Sequence, residues 1–216
     1  MKRILALLLC FFATMVVAQE ANFREDQLYF SIAYPYFSTP PQGLIQNKLS
    51  YSLSAGFVRD IPINKTRRLA IGLGLGWDKT TVFTNTRFQA VDGSINASVL
   101  QEDVTRNSLQ VQSVAIPLVL RWRNATEQKH AFWRIHSGIS LHFPFNLKTT
   151  FEGQDGVETR EFLPHEQSLL RWNLHFGFNT WNISIVHDLQ PWTSVTHLGK
   201  NQDIKFTKIG LIFYLF

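Results

Sequence analysis

Apolar side chains recur at every second position along most of the chain, and this period constrains the fold more than any other feature. Between Leu49 and Phe57 the odd positions are Leu, Tyr, Leu, Ala and Phe, whereas the even positions are Ser or Gly. Leu69 to Trp77 repeats the pattern with Ala and Gly at the even positions. Successive strand residues point to opposite faces, so the period predicts β-strands with one apolar face. A helix over Leu69 to Trp77 would hold several interior glycines, each costing about 1 kcal/mol.

Eight segments carry this alternation, and none of the mature sequence predicts a convincing helix. The segments are 27–37, 48–60, 67–78, 109–123, 131–146, 168–178, 181–189 and 204–216. Each is long enough to cross a bilayer as a tilted strand of about 9–11 residues, although the seventh is marginal. The connections between them alternate strictly between short and long, which is typical of outer-membrane barrels with short periplasmic turns. The sequence therefore predicts an all-β, eight-stranded, antiparallel up-and-down transmembrane β-barrel with both termini in the periplasm.

The direction of the apolar faces separates a membrane barrel from a soluble one. In a soluble, lipocalin-like binder the apolar face would point inward, whereas in a membrane barrel it faces lipid. The polar faces here are mainly Gly, Ser, Ala, Asn, Arg and His, with few of the Lys and Glu expected on a soluble surface. Aromatic residues also gather near the strand ends, as in interfacial girdles: Tyr34, Tyr36, Trp77, Trp122, Trp133, Phe145, Trp172, Phe178 and Trp181. These features favour the membrane barrel, with outer-membrane lipid as its surroundings.

The first residues have the pattern of a secretory signal peptide. A basic start at Lys2 and Arg3 precedes an apolar run from Ile4 to Val17, and Ala18 is a suitable cleavage residue. We therefore predict a signal peptide over residues 1–18 and a barrel domain over residues 19–216. The alternative, a membrane anchor helix, needs about 20 apolar residues, more than this run has. Cleavage also removes Cys10, the only cysteine, so neither disulfides nor a cysteine metal site is expected.

The charge balance excludes an obvious nucleic-acid partner. The formal net charge is +5, and loss of Lys2 and Arg3 with the signal peptide leaves +3, without a run of basic residues. Polar side chains at the positions predicted to face the interior form a candidate lumen cluster. They are Arg121, Arg134, His136, His142, Arg171, Asn173 and His175. Two interpretations remain open: a structural plug, because eight strands leave room only for side chains, or an anion site or narrow cationic path.

Buried charges need partners, and the acidic candidates are Asp60, Asp78, Glu166 and Asp188. A metal site is not expected, because His136 and His142 are six residues apart on one strand and hence about 20 Å apart. No cofactor is expected either. Some small barrels are lipid-modifying enzymes, and the residues available for such chemistry are Thr193, Ser194 and His197 with Asp188 or Asp203. Nothing in the sequence fixes their geometry, so we expect no enzymatic activity.

The long connections are the natural place for binding, because a rigid barrel presents them outward. Residues 79–108 predict an extended hairpin with a turn at "VDGS" (residues 91–94), and residues 147–167 contain a second turn at "EGQDG" (residues 152–156). Their role is either a partner-binding surface or a solvated shield over the barrel mouth. A small pore or transporter, a lipid-active enzyme and a secreted binder remain the alternatives to a structural or partner-binding barrel.

Three short motifs carry a family resemblance. They are Val17-Ala18-Gln19 at the cleavage site, "LAIGLGLGW" in the third segment and "VAIPLVLRWR" in the fourth. With them the mature chain resembles the small outer-membrane barrels of Bacteroidota known as the PorT-like family. That resemblance implies a role such as an accessory component of type IX protein secretion, with other secretion-complex proteins as partners.

The last segment has its own resemblance. Ile212, Tyr214 and Phe216 share one face of a strand that ends on an aromatic residue. This pattern is similar to the terminal signal of bacterial outer-membrane barrels, which implies recognition by the barrel assembly machinery. An ordinary buried terminal strand is the alternative.

Overall fold

The computed structural model describes residues 26–40, 42–91, 94–100, 106–124, 132–153, 156–162, 167–197 and 200–215. These residues form thirteen β-strands. The strands are β1 (Gln27–Phe37), β2 (Tyr51–Pro62), β3 (Leu69–Phe83), β4 (Thr86–Val91), β5 (Ser94–Val99), β6 (Arg106–Arg123), β7 (Trp133–Glu152), β8 (Glu158–Phe162), β9 (Leu169–Phe178), β10 (Trp181–Asp188), β11 (Thr193–His197), β12 (Lys200–Ile204) and β13 (Phe206–Leu215). No helix among the described residues is long and apolar enough to cross a membrane.

Eight of these strands form one closed antiparallel barrel. Their order is β6-β3-β2-β1-β13-β10-β9-β7, and pairing of β6 with β7 closes the ring. β1 pairs with β13 from Leu28 opposite Leu215 to Phe37 opposite Phe206, so the first and last strands are neighbours. Closure leaves no open edge within this ring, which a strand surrounded by lipid requires. The eight-stranded antiparallel barrel predicted from the sequence is confirmed.

Large apolar side chains cover the outside of the barrel. Leu75 on β3 is 60% exposed and Trp181 on β10 is 65% exposed, and every barrel strand contributes similar residues. Most of the interior positions that alternate with them at the level of the apolar belt are small or polar. A soluble barrel would have the opposite arrangement, so the lipocalin-like alternative is wrong.

Three barrel strands continue beyond their predicted ends on the side of the long connections. β3 extends to Phe83, β6 begins at Arg106 and β7 extends to Glu152. The segment predicted as an extended hairpin adds β4 and β5, with Val91 opposite Ser94. The two central residues of the predicted turn lie outside the described part. The second predicted turn joins β7 to β8, where Gly156 has a φ of 72°.

A second sheet, here called the cap sheet, stands at the end of the barrel with the long connections. Its strand order is β12-β11-β5-β4, and the β11–β5 pairing is parallel. Apolar side chains of the cap sheet pack in one cluster with inward-facing side chains from the extended ends of the barrel strands. The cap-sheet members are Phe88, Ile95, Ala97, Val195 and Ile204, and the barrel members include Phe37, Val82, Leu109, Leu147, Leu169 and Phe206.

A β-bulge in β7 marks the level at which the barrel interior changes character. The pairing of β6 with β7 shifts between Gln112, opposite Asn146, and Ser113, opposite Pro144, which leaves Phe145 as the extra residue. Inward positions on β7 are therefore even-numbered below the bulge, as at His142, and odd-numbered above it, as at Leu147. Below the bulge the interior holds the buried charged side chains with a few apolar ones such as Val58 and Ile212, and above it the interior is mainly apolar.

Candidate functional site

The barrel interior holds two clusters of buried charged side chains. The turn-side cluster lies near the short connections and comprises Gln27, Asp60, Arg121, Arg123, Arg134 and His136. The cap-side cluster lies near the cap sheet and comprises Asp78, His142, Arg171, Asp188 and Lys208. All eleven side chains are buried, so each charge must be compensated inside the protein.

Asp60 organises the turn-side cluster. Its Oδ1 accepts a hydrogen bond from Arg121 Nη1 at 2.8 Å, and its Oδ2 accepts one from Arg123 Nη1 at 2.8 Å. Arg121 Nη2 also donates to Gln27 Oε1. The Asp60 carboxylate on β2 thus binds two guanidinium groups from β6, and Gln27 adds β1 to the same network. Hydrogen bonds between ionised groups are about twice as strong as neutral ones, so this is a strong cross-strand tie.

The ring of Tyr214 sits between the arginines and the two histidines of this end. The guanidinium carbons of Arg121 and Arg134 lie 5.9 and 5.4 Å from its centroid, within the range of cation–π attraction. Its hydroxyl is 2.6 Å from His175 Nδ1. The His136 ring packs edge-on at 5.0 Å. Tyr214 therefore fills the space between the charged groups and gives both arginines a π-face.

Asp78 and Arg171 organise the cap-side cluster. Arg171 donates from Nε to Asp188 Oδ1 at 2.7 Å and from Nη1 to Asp78 Oδ1 at 2.9 Å. Lys208 Nζ lies 2.8 Å from the same Asp78 oxygen and 2.6 Å from Thr80 Oγ1. Two carboxylates and two cations therefore form a neutral network. It joins β3, β9, β10 and β13 across the interior.

His142 and Asn173 complete this network with further hydrogen bonds. The Nδ1 atom of His142 is 3.1 Å from both Ser113 Oγ and Arg171 Nη1, and its Nε2 is 2.9 Å from Ser140 Oγ. The Ser140 hydroxyl also lies 3.3 Å from Asn173 Oδ1. Each of these polar groups thereby has a partner, as buried polar groups require.

A cavity of about 70 Å³ lies next to the cap-side cluster and toward the middle of the barrel. Its lining includes Tyr29, Ser31, Ser52, His142 and Lys208. This volume has room for a few water molecules, because a single water needs a cavity of at least about 10–15 Å³. The lumen is thus largely filled by the protein's own side chains, as expected for eight strands.

The seven residues predicted to form a lumen cluster all point into the barrel and are buried. They separate into the two ends: Arg121, Arg134, His136 and His175 lie toward the short turns, whereas His142, Arg171 and Asn173 lie toward the cap. Of the acidic partners expected for them, Asp60, Asp78 and Asp188 make ion pairs, and Glu166 lies outside the described residues.

Three members of the clusters were not singled out from the sequence. Arg123 lies two residues after Arg121 and therefore on the same face, so the period of two contained the signal for it. Lys208 lies in a mostly apolar strand, β13, and it shares the interior face with Ile212. Gln27 stands at the first position of β1, where the alternation gives least information.

Neither a metal site nor a catalytic triad emerges among the described residues. His136 and His175 are opposite each other on β7 and β9 with ring centroids 6.4 Å apart, but His142 lies in the other cluster. No group of three His, Cys, Asp or Glu in the described part of the chain could hold a metal ion. Ser194 Oγ donates to Asp203 Oδ1 at 2.6 Å, and the side chain of His197 lies outside the described residues.

The candidate assembly signal lies at the end of β13. Ile212 and Tyr214 point into the barrel and are buried, while Leu211 and Leu215 on the alternate face are exposed. Phe216 lies outside the described residues. Both faces are therefore mainly apolar at this end of β13, and Tyr214 also packs in the turn-side cluster.

Comparison with known proteins adds a family and two structural neighbours. Two crystal structures of Ail, the attachment invasion locus protein of Yersinia pestis, are similar to this chain, and one of them is in complex with the heparin analogue sucrose octasulfate. They are 13% and 12% identical, with TM-scores of 0.41 and 0.40, and each comparison covers 89% of this chain and 99% of the other. No curated protein matches the chain.

The family described as outer membrane protein beta-barrel domain matches residues 17–190, which is most of the chain. The matched region contains seven of the eight barrel strands, together with the β4–β5 and β7–β8 hairpins. The closed barrel, its apolar exterior and this match agree, and the chain belongs to the outer membrane protein beta-barrel domain family.

Proposed function

We propose that this protein is a closed, non-enzymatic barrel that presents its cap sheet to a partner outside the membrane. The observation that carries the proposal is the filled interior. Two ion-pair clusters and an apolar core beneath the cap sheet occupy the lumen, and the cavity between them is about 70 Å³. Within the part of the chain that the structure describes, we infer that no continuous water-filled path crosses the barrel, so the surface available to a partner is its outside.

The proposed orientation places the cap sheet outside the cell and the short turns in the periplasm. It is supported by the pattern of outer-membrane barrels, whose external connections are long and whose periplasmic turns are short. The signal peptide over residues 1–18 would deliver the chain to the periplasm. The barrel assembly machinery would then recognise the end of β13 at Ile212, Tyr214 and Phe216.

For the finer role we propose an accessory component of type IX protein secretion, within the PorT-like family. The support is the resemblance of "LAIGLGLGW" and "VAIPLVLRWR" to that family. The ordered cap sheet adds to it, because four paired strands form a more rigid platform for a protein partner than a solvated loop. Other proteins of the secretion complex are the proposed partners.

Site-specific crosslinking tests the partner-binding role. A photoreactive residue at Ser98 on β5 or Asn201 on β12, both exposed on the cap sheet, should give a discrete adduct in intact cells. The same residue at Lys65, in the short connection between β2 and β3, is the control. Adducts from the cap sheet that contain a secretion-complex protein support the proposal. Adducts from Lys65 alone, or cargo secretion unchanged after deletion of the gene, contradict it.

Conductance in planar bilayers tests the closed lumen. The purified barrel should give no unitary current, because the cap-side and turn-side clusters block the interior. A stable ohmic current from the wild-type protein would instead support the pore or transporter alternative. Incubation with outer-membrane lipids, followed by mass spectrometry of the lipids, tests the absence of lipid-modifying activity in the same preparation.

A further inference from the structure

A polar group interrupts the lipid-facing surface of the barrel near the cap sheet. Thr207 Oγ1 on β13 lies 2.6 Å from Ser38 Oγ and 2.7 Å from His187 Nδ1 on β10. Thr207 has the same odd-numbered parity as Ile209 and Leu211, which are exposed on the outside, so its side chain points outward, although its neighbours leave it only 8% exposed. It therefore belongs to the exterior, and neither lumen cluster includes it.

The strand register places this polar group at a defined level. Thr207 is opposite Tyr36 on β1 and opposite His187 on β10, and His187 is opposite Trp172 on β9. The row across four strands is thus Tyr36, Thr207, His187 and Trp172. Aromatic side chains of membrane proteins gather at the level of the lipid headgroups, so the row lies where hydrocarbon gives way to headgroups.

Lys205 occupies the next position of the same parity toward the cap. Its carbonyl oxygen accepts a hydrogen bond from the Ser38 backbone N–H at 2.8 Å, and its Nζ donates to the Leu189 carbonyl oxygen at 3.0 Å. The ammonium retains two further donors. Lys205 immediately precedes β13 and is two residues from Thr207, the partner of His187, so as a diagonal neighbour its Cα atom is roughly 7–8 Å from that of His187. An anion the size of a phosphate fits between two side chains at that spacing.

The hydrogen bonds orient the imidazole toward the same place. We take the tautomer in which the Thr207 hydroxyl donates to His187 Nδ1, so that the ring proton is on Nε2; no described residue binds Nε2, which can then donate to another partner. Directly below, the outward positions Tyr34, Ile209 and Ile185 are apolar. The hydrogen-bond donors of Lys205 and His187 therefore lie next to side chains that face the hydrocarbon. This combination matches an amphiphile whose anionic head adjoins its acyl chains.

We propose that Lys205 and His187, held by Thr207 and Ser38, bind the phosphate of a lipid headgroup at the cap-side rim of the barrel. A phosphate offers several acceptor oxygens to the two donors, and the acyl chains of the same lipid cover the apolar positions below. The inference rests on the membrane placement in the proposed function, but it does not depend on the type IX role or on a closed lumen. In the proposed orientation the lipid belongs to the outer leaflet.

Native mass spectrometry of the detergent-solubilised full chain tests the proposal. The barrel is mixed with dioleoyl phosphatidic acid or with dioleoyl phosphatidylcholine, and the retained lipid is counted on the folded protein. The wild type should retain phosphatidic acid preferentially. The double variant Lys205→Gln with His187→Asn should retain at least about fivefold less, since loss of the Lys205 charge near a membrane surface alone contributes about that factor to binding an anionic lipid.

Two further arms make the result decisive. Lys65→Gln removes the same charge at the opposite rim and should retain phosphatidic acid as the wild type does. The heat-modifiability of each variant on a gel verifies that it is folded. Equal retention by the wild type and the double variant would overturn the proposal. Inorganic phosphate in excess should leave the bound lipid in place; full displacement would show a free-phosphate site and would likewise overturn it. A negative result in either lipid experiment would overturn the lipid site alone. The partner-binding, closed barrel is tested independently by the crosslinking and conductance experiments.

Discussion

The ammonium of Lys208 lies 2.8 Å from Asp78 Oδ1 and joins β13 to β3 across the barrel interior. These strands are not neighbours, because β1 and β2 stand between them in the sheet. Arg171 from β9 binds the same oxygen at 2.9 Å. One carboxylate therefore ties three separate parts of the ring, and the barrel wall is braced from inside as well as by its backbone ladder.

Asp78→Asn should lower the free energy of unfolding by about 3–5 kcal/mol, because the amide leaves Lys208 and Arg171 buried with less compensating charge. Urea unfolding in detergent micelles, followed by the heat-modified gel band, measures the change. Glu158→Gln is the matched control, because its ion pair with Arg160 on β8 is exposed and should contribute no more than about 1 kcal/mol. Equal stability of the two variants would show that Asp78 does not brace the barrel.

Gly76 on β3 makes room for Tyr29 from β1, because a Cβ at position 76 would collide with the Tyr29 hydroxyl oxygen. Gly76→Ala should therefore lower the free energy of unfolding by about 1–3 kcal/mol. In the Tyr29→Phe background the same substitution should have a smaller effect, since the colliding oxygen is gone. A double-mutant cycle by urea unfolding measures this coupling.

Gly153→Ala is the control for this cycle, because the nearest atom to a Cβ there belongs to Phe151 at 3.6 Å, an ordinary contact. It should leave stability nearly unchanged in both backgrounds. If Gly76→Ala is as destabilising in the Tyr29→Phe background as in the wild type, the contacts that the Tyr29→Phe substitution does not remove are dominant instead: the Ala55 carbonyl oxygen at 3.0 Å and the ring carbon Cζ of residue 29 at 3.1 Å from the added Cβ.

The barrel could be predicted from the sequence because a strand surrounded by lipid obeys one rule along its whole length. Outward residues must be apolar and inward residues must fit a narrow lumen, so the period of two in Leu69 to Trp77 identifies both faces. The interior positions of Arg121, Arg171 and His142 follow from the same parity. Their pairing does not, because it depends on the stagger between strands that are distant in sequence.

The cap sheet could not be predicted in the same way. Above the membrane the solvent is water, so the apolar face turns inward, and Val82 and Leu109 are buried where Leu75 and Leu118 are exposed. The bulge at Phe145 also switches the inward positions of β7 from even to odd numbers. The sequence gives no sign of this switch, because its apolar alternation continues through residue 145 without a break. The parallel contact of Val195 with Ile95 joins residues about a hundred positions apart and leaves no local signal.

The predicted processing site gives a direct test on the isolated protein. The mature chain should begin at Gln19, because cleavage after Ala18 follows the apolar run and the small residue that signal peptidase requires. Intact-mass measurement of protein purified from the outer-membrane fraction, with N-terminal sequencing, determines the first residue. Ala18→Leu is the informative variant, since a bulky residue at the cleavage position should slow removal of residues 1–18. A purified chain that retains Lys2 and Arg3 would show that the segment is an anchor.

Phe88 on β4 separates the stability of the cap sheet from that of the barrel, because it is fully buried in the cluster beneath the cap and is not part of the ring. Phe88→Ala should destabilise the cap by about 3–5 kcal/mol, through lost burial and the cavity it leaves. We expect faster amide hydrogen exchange in β4 and β5, with β1 and β2 unchanged, since regions of a protein open as separate units.

Val91→Ala is the matched control for this substitution. It lies at the end of the same strand with 44% of its side chain exposed, so its removal should leave exchange in β4 close to that of the wild type. If Phe88→Ala accelerates exchange in β1 and β2 as much as in β4, the cap and the barrel unfold as one unit. The cap sheet would then be a structural part of the barrel wall, and its proposed role as a binding platform distinct from the barrel would lose its support.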